Sequence, residues 1–115
     1  MKFALIVKTP FVSSYSALKF LETAINLKHS IVAVFFDQQG VSIANTFINL
    51  PNDEINIQQN WQVLAKEFSI PLIVCSTSAL RYGIKLDQLA EQFTIGSFGQ
   101  LIEILVTVDK IVIFK

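Results

Sequence analysis

The feature that most constrains this chain is a set of short runs without a polar residue, each followed by a helical pattern. Phe3-Ala4-Leu5-Ile6-Val7, Ile31-Val32-Ala33-Val34-Phe35-Phe36 and Leu72-Ile73-Val74-Cys75 are apolar throughout. A strand with one face in water alternates apolar and polar residues, whereas a strand without polar positions is buried on both faces. Such strands belong to parallel sheets covered by helices on each side.

The segments between the runs supply those helices. Ala17, Leu18, Leu21, Ala24 and Ile25 share one face at helical spacing, with Ser13 or Ser14 placed to cap the start. Lys19 and Glu22 form a solvated pair elsewhere on the same helix. Ile57, Trp61, Leu64, Ala65 and Phe68 mark a second helix, in which Trp61 reads as core. Ser76 to Tyr82 forms a short helix stopped by Gly83, and Leu86 to Gln92 another. Phe93-Thr94-Ile95 reads as a short fourth strand and Ile111 to Phe114 as the last. Between them Ser97 and Gln100 offer a capping box, and Leu101, Ile102, Leu105 and Val106 are expected to form the buried face of a helix. Asp37 to Gly40 reads as a turn, and Val41 to Leu50 as irregular with a helical turn near Ala44. The expected architecture is α/β, three layers in α/β/α order, with a mostly parallel sheet of about five strands.

The 115 residues suffice for one domain, 1–115, with a core of its own. Nine basic residues balance nine acidic ones, so there is no electrostatic footprint for nucleic acid or an anionic membrane. No apolar run approaches the roughly 18 residues of a membrane helix. The apolar stretch after Met1 is too short for a signal peptide, and a lone cysteine builds no internal disulfide, so a cytoplasmic location is expected. The apolar fraction of 52% is high for this length. A doubly covered sheet accounts for part of it, and burial against partner subunits accounts for more.

Cys75 is the residue with chemistry to offer. A free cysteine ending an apolar run is often a small buried hydrophobe. This one is followed by Ser76-Thr77-Ser78, which starts a helix better than it continues a strand. The thiol is thereby placed at the C-terminal edge of a parallel sheet, where ligands and reactive groups gather, beside unpaired amides that stabilise thiolates. The same amides suit a persulfide anion. Arg81 and Lys85 are nearby cations, read as solvated. His29, the only histidine, falls at the opposite edge of the sheet, which argues against a Cys-His pair. One histidine and one cysteine do not make a standard zinc site, and no metal or organic cofactor is expected. Asp37 ends the second apolar run and so also lies at the thiol's edge, but it reads as a turn starter. The doublet Asp53-Glu54 and Asp109 read as loop and turn residues. The loop after the first strand lacks glycine, which argues against a nucleotide or flavin phosphate cradle.

With those residues in place, the chain resembles the DsrE-like family, the TusD-type sulfurtransferase subunits of bacterial sulfur relays among them. The likeness runs through Phe3 to Val7, Val34-Phe35-Phe36, Gly40-Val41, Ala44-Asn45, Trp61-Gln62-Val63-Leu64, Ile73-Val74-Cys75, Ala79-Leu80-Arg81-Tyr82-Gly83, Phe93 to Leu101 and Asp109-Lys110-Ile111-Val112. Order and spacing carry it, rather than one motif. It implies a DsrE-like fold and a sulfur-accepting role for Cys75. It implies TusB-like and TusC-like partners in a heterohexamer, a TusA-like sulfur donor and a TusE-like acceptor, with 2-thiouridine at the wobble position of tRNA as the end product. Related subunits serve sulfur oxidation. The loop after the first strand and the stretch between Gly83 and Phe93 are shorter than in typical members. Val108 stands where some relatives carry a second cysteine, so this chain has no resolving thiol of its own.

Overall fold

A computed structural model describes residues 1–10, 14–45 and 56–115. Five strands, β1 (Lys2–Val7), β2 (Ser30–Phe36), β3 (Leu72–Cys75), β4 (Phe93–Gly96) and β5 (Lys110–Phe114), form one sheet in the order β4-β3-β2-β1-β5. Every pairing is parallel, as the unbroken apolar runs require. Four helices connect them: α1 (Tyr15–Asn26), α2 (Ile57–Phe68), α3 (Ser76–Arg81) and α4 (Phe98–Leu105).

The order of the strands dictates the layers. From β1 through β4 each crossover steps one strand in the same direction, but β4 to β5 reverses and returns to the far edge. Right-handed crossovers then put α4 on the face opposite α1 and α2. The packing follows that rule. Leu5, Val7, Val34, Phe36, Leu72 and Val74 point to the face covered by α1, α2 and α3, where Leu18, Leu21, Trp61 and Ala79 join them in the main core. Ile6, Ala33, Phe35 and Ile73 point the other way, against Leu101, Ile104 and Leu105 of α4 and against Cys75.

The helix faces bear out the periodicity on the main side. Ala17, Leu18, Leu21 and Ala24 are buried, Ile25 packs against the same cluster, and Lys19 pairs with Glu22 at 3.2 Å on the solvent side. Trp61 is fully buried, edge-on to Phe36 with ring centroids 5.3 Å apart. Its indole N–H donates to Ser14 Oγ at 3.4 Å. Phe68, expected on the buried face, is exposed because it lies in the last turn of α2, past the edge of the core. On the other side the expectation for α4 needs correcting. Leu101 and Leu105 turn inward with Ile104, but Ile102 and Val106 are exposed at 45% and 78%, and no residue of α4 is fully buried. The helix is apolar nearly all round, so spacing alone does not select its inner face. Ser97 does cap it, accepting from the Gln100 amide at 3.2 Å.

Two other segments differ from their sequence reading. Gln38–Ala44 forms one 3-10 helix, which includes the helical turn expected near Ala44 but replaces the turn and irregular stretch read before it, and Gly40 explains why it fits there. A Cβ on Gly40 would lie 2.1 Å from the Val7 carbonyl oxygen, so only glycine lets this segment cross the end of β1. The expected helix over Leu86 to Gln92 reduces to one 3-10 turn, Leu86–Gln88. Asp109 does more than turn the chain: its carboxylate and its amide bond the Lys2 amide and carbonyl, each at 2.8 Å, and so tie β5 to β1. The Ser13 cap, the second half of Val41 to Leu50 and the Asp53-Glu54 doublet lie outside the described residues.

Candidate functional site

The candidate site is the C-terminal edge of β3. The strand ends at Cys75, which has extended backbone angles and serves as the N-cap residue of α3. The change of direction is abrupt because the apolar run gives way to Ser76-Thr77-Ser78 with no loop between. The far end of α3 is equally sharp. The Ile84 amide reaches the Ala79 carbonyl at 2.8 Å and the Gly83 amide the Leu80 carbonyl at 3.2 Å, a Schellman closure that needs the positive φ of Gly83, +73°. A helix of six residues is thus pinned at both ends, and the thiol with it.

Cys75 is half-buried and packs against Ile6, Ala33, Phe35 and Ile73. Its register partner on the edge strand is Gly96, which precedes the N-cap of α4. Two helices therefore start side by side at this edge. A side chain at Gly96 is sterically barred, since its Cβ would come within 2.3 Å of Ile73 Cγ2. The flank of Cys75 toward β4 is accordingly bare.

The flank toward β2 is polar. Phe36 pairs with Val74, so Asp37 and Cys75, each the next residue, end their strands as neighbours. The Asp37 carboxylate is the hub of a small network. Ser78 Oγ donates to Oδ1 at 2.6 Å and the Gln38 amide donates to the same oxygen at 2.9 Å. The Gln38 amide also reaches Ser78 Oγ at 3.0 Å. Burial pushes the Asp37 carboxyl up, but the bonds from Ser78 and Gln38, with lesser contributions from the neighbouring Cys75 thiol and the Lys8 charge, outweigh it. The carboxyl is held below its ordinary range. Ser78 is itself buried.

The sequence places Cys75 and Asp37 at one edge, and the structure sets them at the ends of adjacent strands, with Ser78 bonded to Asp37. It leaves the other candidates apart. Arg81 and Lys85 are exposed, at and beyond the last turn of α3. His29 precedes β2 at the opposite edge, edge-on to Phe3 and 3.3 Å from the Met1 amino group through Nδ1. Ser78 is the residue that sequence reasoning missed. A signal existed: two apolar runs joined through one helix pair as neighbours, so the polar residues that end them meet. Among the described residues, no three of His, Cys, Asp and Glu gather as a metal-binding group, and no helix is long and apolar enough to cross a membrane.

Comparison with known proteins gives this edge a context. A model of the DsrE/DsrF-like family matches residues 1–114. A sulfurtransferase TusD homolog of Haemophilus influenzae is 31% identical over 97% of this chain and 98% of its own length. A sulfurtransferase TusD homolog of Vibrio parahaemolyticus is 36% identical over 89% and 86%, respectively. Sulfurtransferase TusD of Proteus mirabilis is 33% identical over 86% and 85%. Among solved structures, the ychN protein of E. coli superposes with a TM-score of 0.77 over 99% of both chains at 22% identity. A protein of unknown function from Methanobacterium thermoautotrophicum does so at 0.73 over 97% and 96%, at 11% identity. At those identities the two structures speak for the fold, a five-stranded parallel sheet between helices.

Proposed function

Because this chain belongs to the DsrE/DsrF-like family, we propose that it is a sulfur-relay protein that accepts persulfide sulfur on Cys75 and passes it to the next thiol. The carrying observation is the place of the only cysteine: half-buried, at the C-terminal end of an inner strand, as the N-cap residue of a short pinned helix. The family relatives named sulfurtransferase TusD supply the class of reaction.

The chemistry needs no group beyond thiols. Cys75 loses its proton to solvent, and the thiolate attacks the sulfane sulfur of a donor persulfide. A new S–S bond forms at Cys75 as the donor's S–S bond breaks, and the donor leaves as thiolate. In the second half an acceptor thiolate attacks the outer sulfur, and Cys75 leaves with the electron pair of the broken bond. No net oxidation occurs. α3 and α4 both open at the edge of the sheet where Cys75 ends β3. The donor is a small TusA-like carrier and the acceptor a TusE-like protein. The pathway is 2-thiolation of the tRNA wobble uridine in the cytoplasm, carried out without direct contact with the nucleic acid.

The partners have a surface to use. Phe98 and Ile102 of α4, with Val106 at its C-cap, are exposed at helical spacing, and Ile111 and Ile113 of the edge strand β5 are exposed as well. We assign this face to TusB-like and TusC-like subunits of a heterohexamer. It also favours a second reading, a structural subunit in which Cys75 only packs and a partner transfers the sulfur, or a subunit of a sulfur-oxidation complex. Mass measurement after incubation with a persulfidated carrier decides. Wild type is expected to gain one sulfur atom and Cys75→Ser none. Equal gain, or none in either, sinks the relay reading.

A further inference from the structure

The outer side of α3 packs against nothing in the fold. Ser78 and Ala79 face inward and are buried, whereas Ser76, Thr77, Leu80 and Arg81 are exposed. Ser76 with Leu80 and Thr77 with Arg81 are each four residues apart, so the four share one side of the helix. That side begins beside Cys75 and runs about 9 Å to the end of a six-residue helix. Leu80 is 82% exposed, on a helix end closed by the Ile84 and Gly83 amides. Tyr82 at 47% and Leu86 at 75% follow it, with the buried Ile84 anchoring the chain between them.

The charges of this stretch are mostly positive. Arg81 and Lys85 are exposed, and neither makes an ion pair among the described residues, where Lys19 pairs with Glu22. Asp87 is the only carboxylate between Cys75 and Gln88. Exposed apolar groups beside unpaired cations, with tyrosine and arginine among them, have the composition of a binding surface. The transfer reaction says what must come there. A sulfane sulfur has to approach the Cys75 sulfur to about 3–3.5 Å before it can react. A protein that brings it covers much more than the sulfur, since even a weak contact takes on the order of 500 Å² from each partner. Ile6, Ala33, Phe35 and Ile73 close one side of the thiol, whereas α3 starts at Cys75 itself. The outer side of so short a helix lies within that footprint.

We propose that Leu80, Arg81, Tyr82, Lys85 and Leu86 form the docking surface for the persulfide-bearing carrier protein that loads Cys75. The carrier presents acidic and apolar side chains around its own cysteine. Its carboxylates meet Arg81 and Lys85, and its apolar part covers Leu80, Tyr82 and Leu86. This rests on the reading that Cys75 is the transferring thiol. The surface supplies encounter rate and selectivity, while the bond-making stays with the thiols.

The experiment reads docking and transfer apart. Calorimetric titration of the TusA-like carrier is run on wild type, Leu80→Asp, Arg81→Glu and Val63→Asp, the last at an exposed apolar position of α2. Leu80→Asp is expected to weaken binding about tenfold and Arg81→Glu about threefold, with Val63→Asp as wild type. Wild-type binding is expected to weaken with added salt. The same samples are loaded from the persulfidated carrier and from glutathione persulfide, a donor too small to span the surface. The rate with the carrier relative to glutathione persulfide is expected to fall about tenfold in Leu80→Asp. No binding by wild type, or equal binding by all four proteins, overturns the proposal. So does a loss in Val63→Asp as large as in Leu80→Asp, which would mark repulsion by any added negative charge. A carrier that docks through Leu80, while wild type gains no sulfur from either donor, upholds the surface and sinks the relay reading.

Discussion

The two faces of the sheet are built from similar strands but are covered differently. One lies under α1, α2 and α3 and includes Trp61, Phe36, Leu18 and Leu21, all fully buried. The other lies under α4 alone, whose residues are at best half-buried, and it leaves Ile111 and Ile113 in solvent. Cys75 packs on the thin side. The difference separates two tasks. The closed face carries the free energy of the fold, and the thin face carries a thiol and a surface that further protein can cover.

The sharpest way to break this comparison is to hollow the closed face. Trp61→Ala removes the largest fully buried side chain, the edge contact to Phe36 and the bond to Ser14. It is expected to cost about 3–5 kcal/mol in urea unfolding. A loss below about 1 kcal/mol would mean the closed face is not the main store of stability. Next comes Gly40→Ala, at the corner where the 3-10 segment crosses β1. Its Cβ would overlap the Val7 carbonyl, so backbone must move, and a cost of about 1–3 kcal/mol is expected by the same measurement.

Asp37 tests the corner between the faces through pH. Its carboxyl titrates below the ordinary value in the folded chain. The stability it adds is therefore fully present above the unfolded carboxylate pKa, about 4, and is lost as pH falls through the lower folded value. Asp37→Asn should lower the urea midpoint modestly at neutral pH, by about 1 kcal/mol or less, and the difference should shrink below about pH 4. A difference that grows on acidification would contradict the assigned hydrogen bonds. The smallest effect on stability belongs to the thin face. Val106→Lys and Ile113→Lys are each expected to stay within about 0.5 kcal/mol of wild type. Light scattering should nonetheless show association at high concentration in wild type and less in the variants. A wild type that stays monomeric would remove the surface from consideration.

The sequence by itself determined the parallel sheet, because runs such as Phe3 to Val7 and Ile31 to Phe36 leave no polar position to face water. It determined where α1 and α3 lie, through one clear apolar stripe in the first and Gly83 at the end of the second. It also put Cys75 at the edge of the sheet, since an apolar run followed at once by three hydroxyl residues reads as strand and then helix. Three things had to wait for the tertiary structure. The inner face of α4 was one, because Leu101-Ile102-Glu103-Ile104-Leu105-Val106 is apolar in nearly every direction and only the surface it meets selects a side. The close passage of Gly40 over Val7 was another, because it is set by a backbone 33 residues away. The last was the company Cys75 keeps. Asp37 and Ser78 each had a sufficient local reading, as turn residue and as helix starter. Hydrogen bonds between groups about forty residues apart follow from strand order and register, which local spacing does not encode.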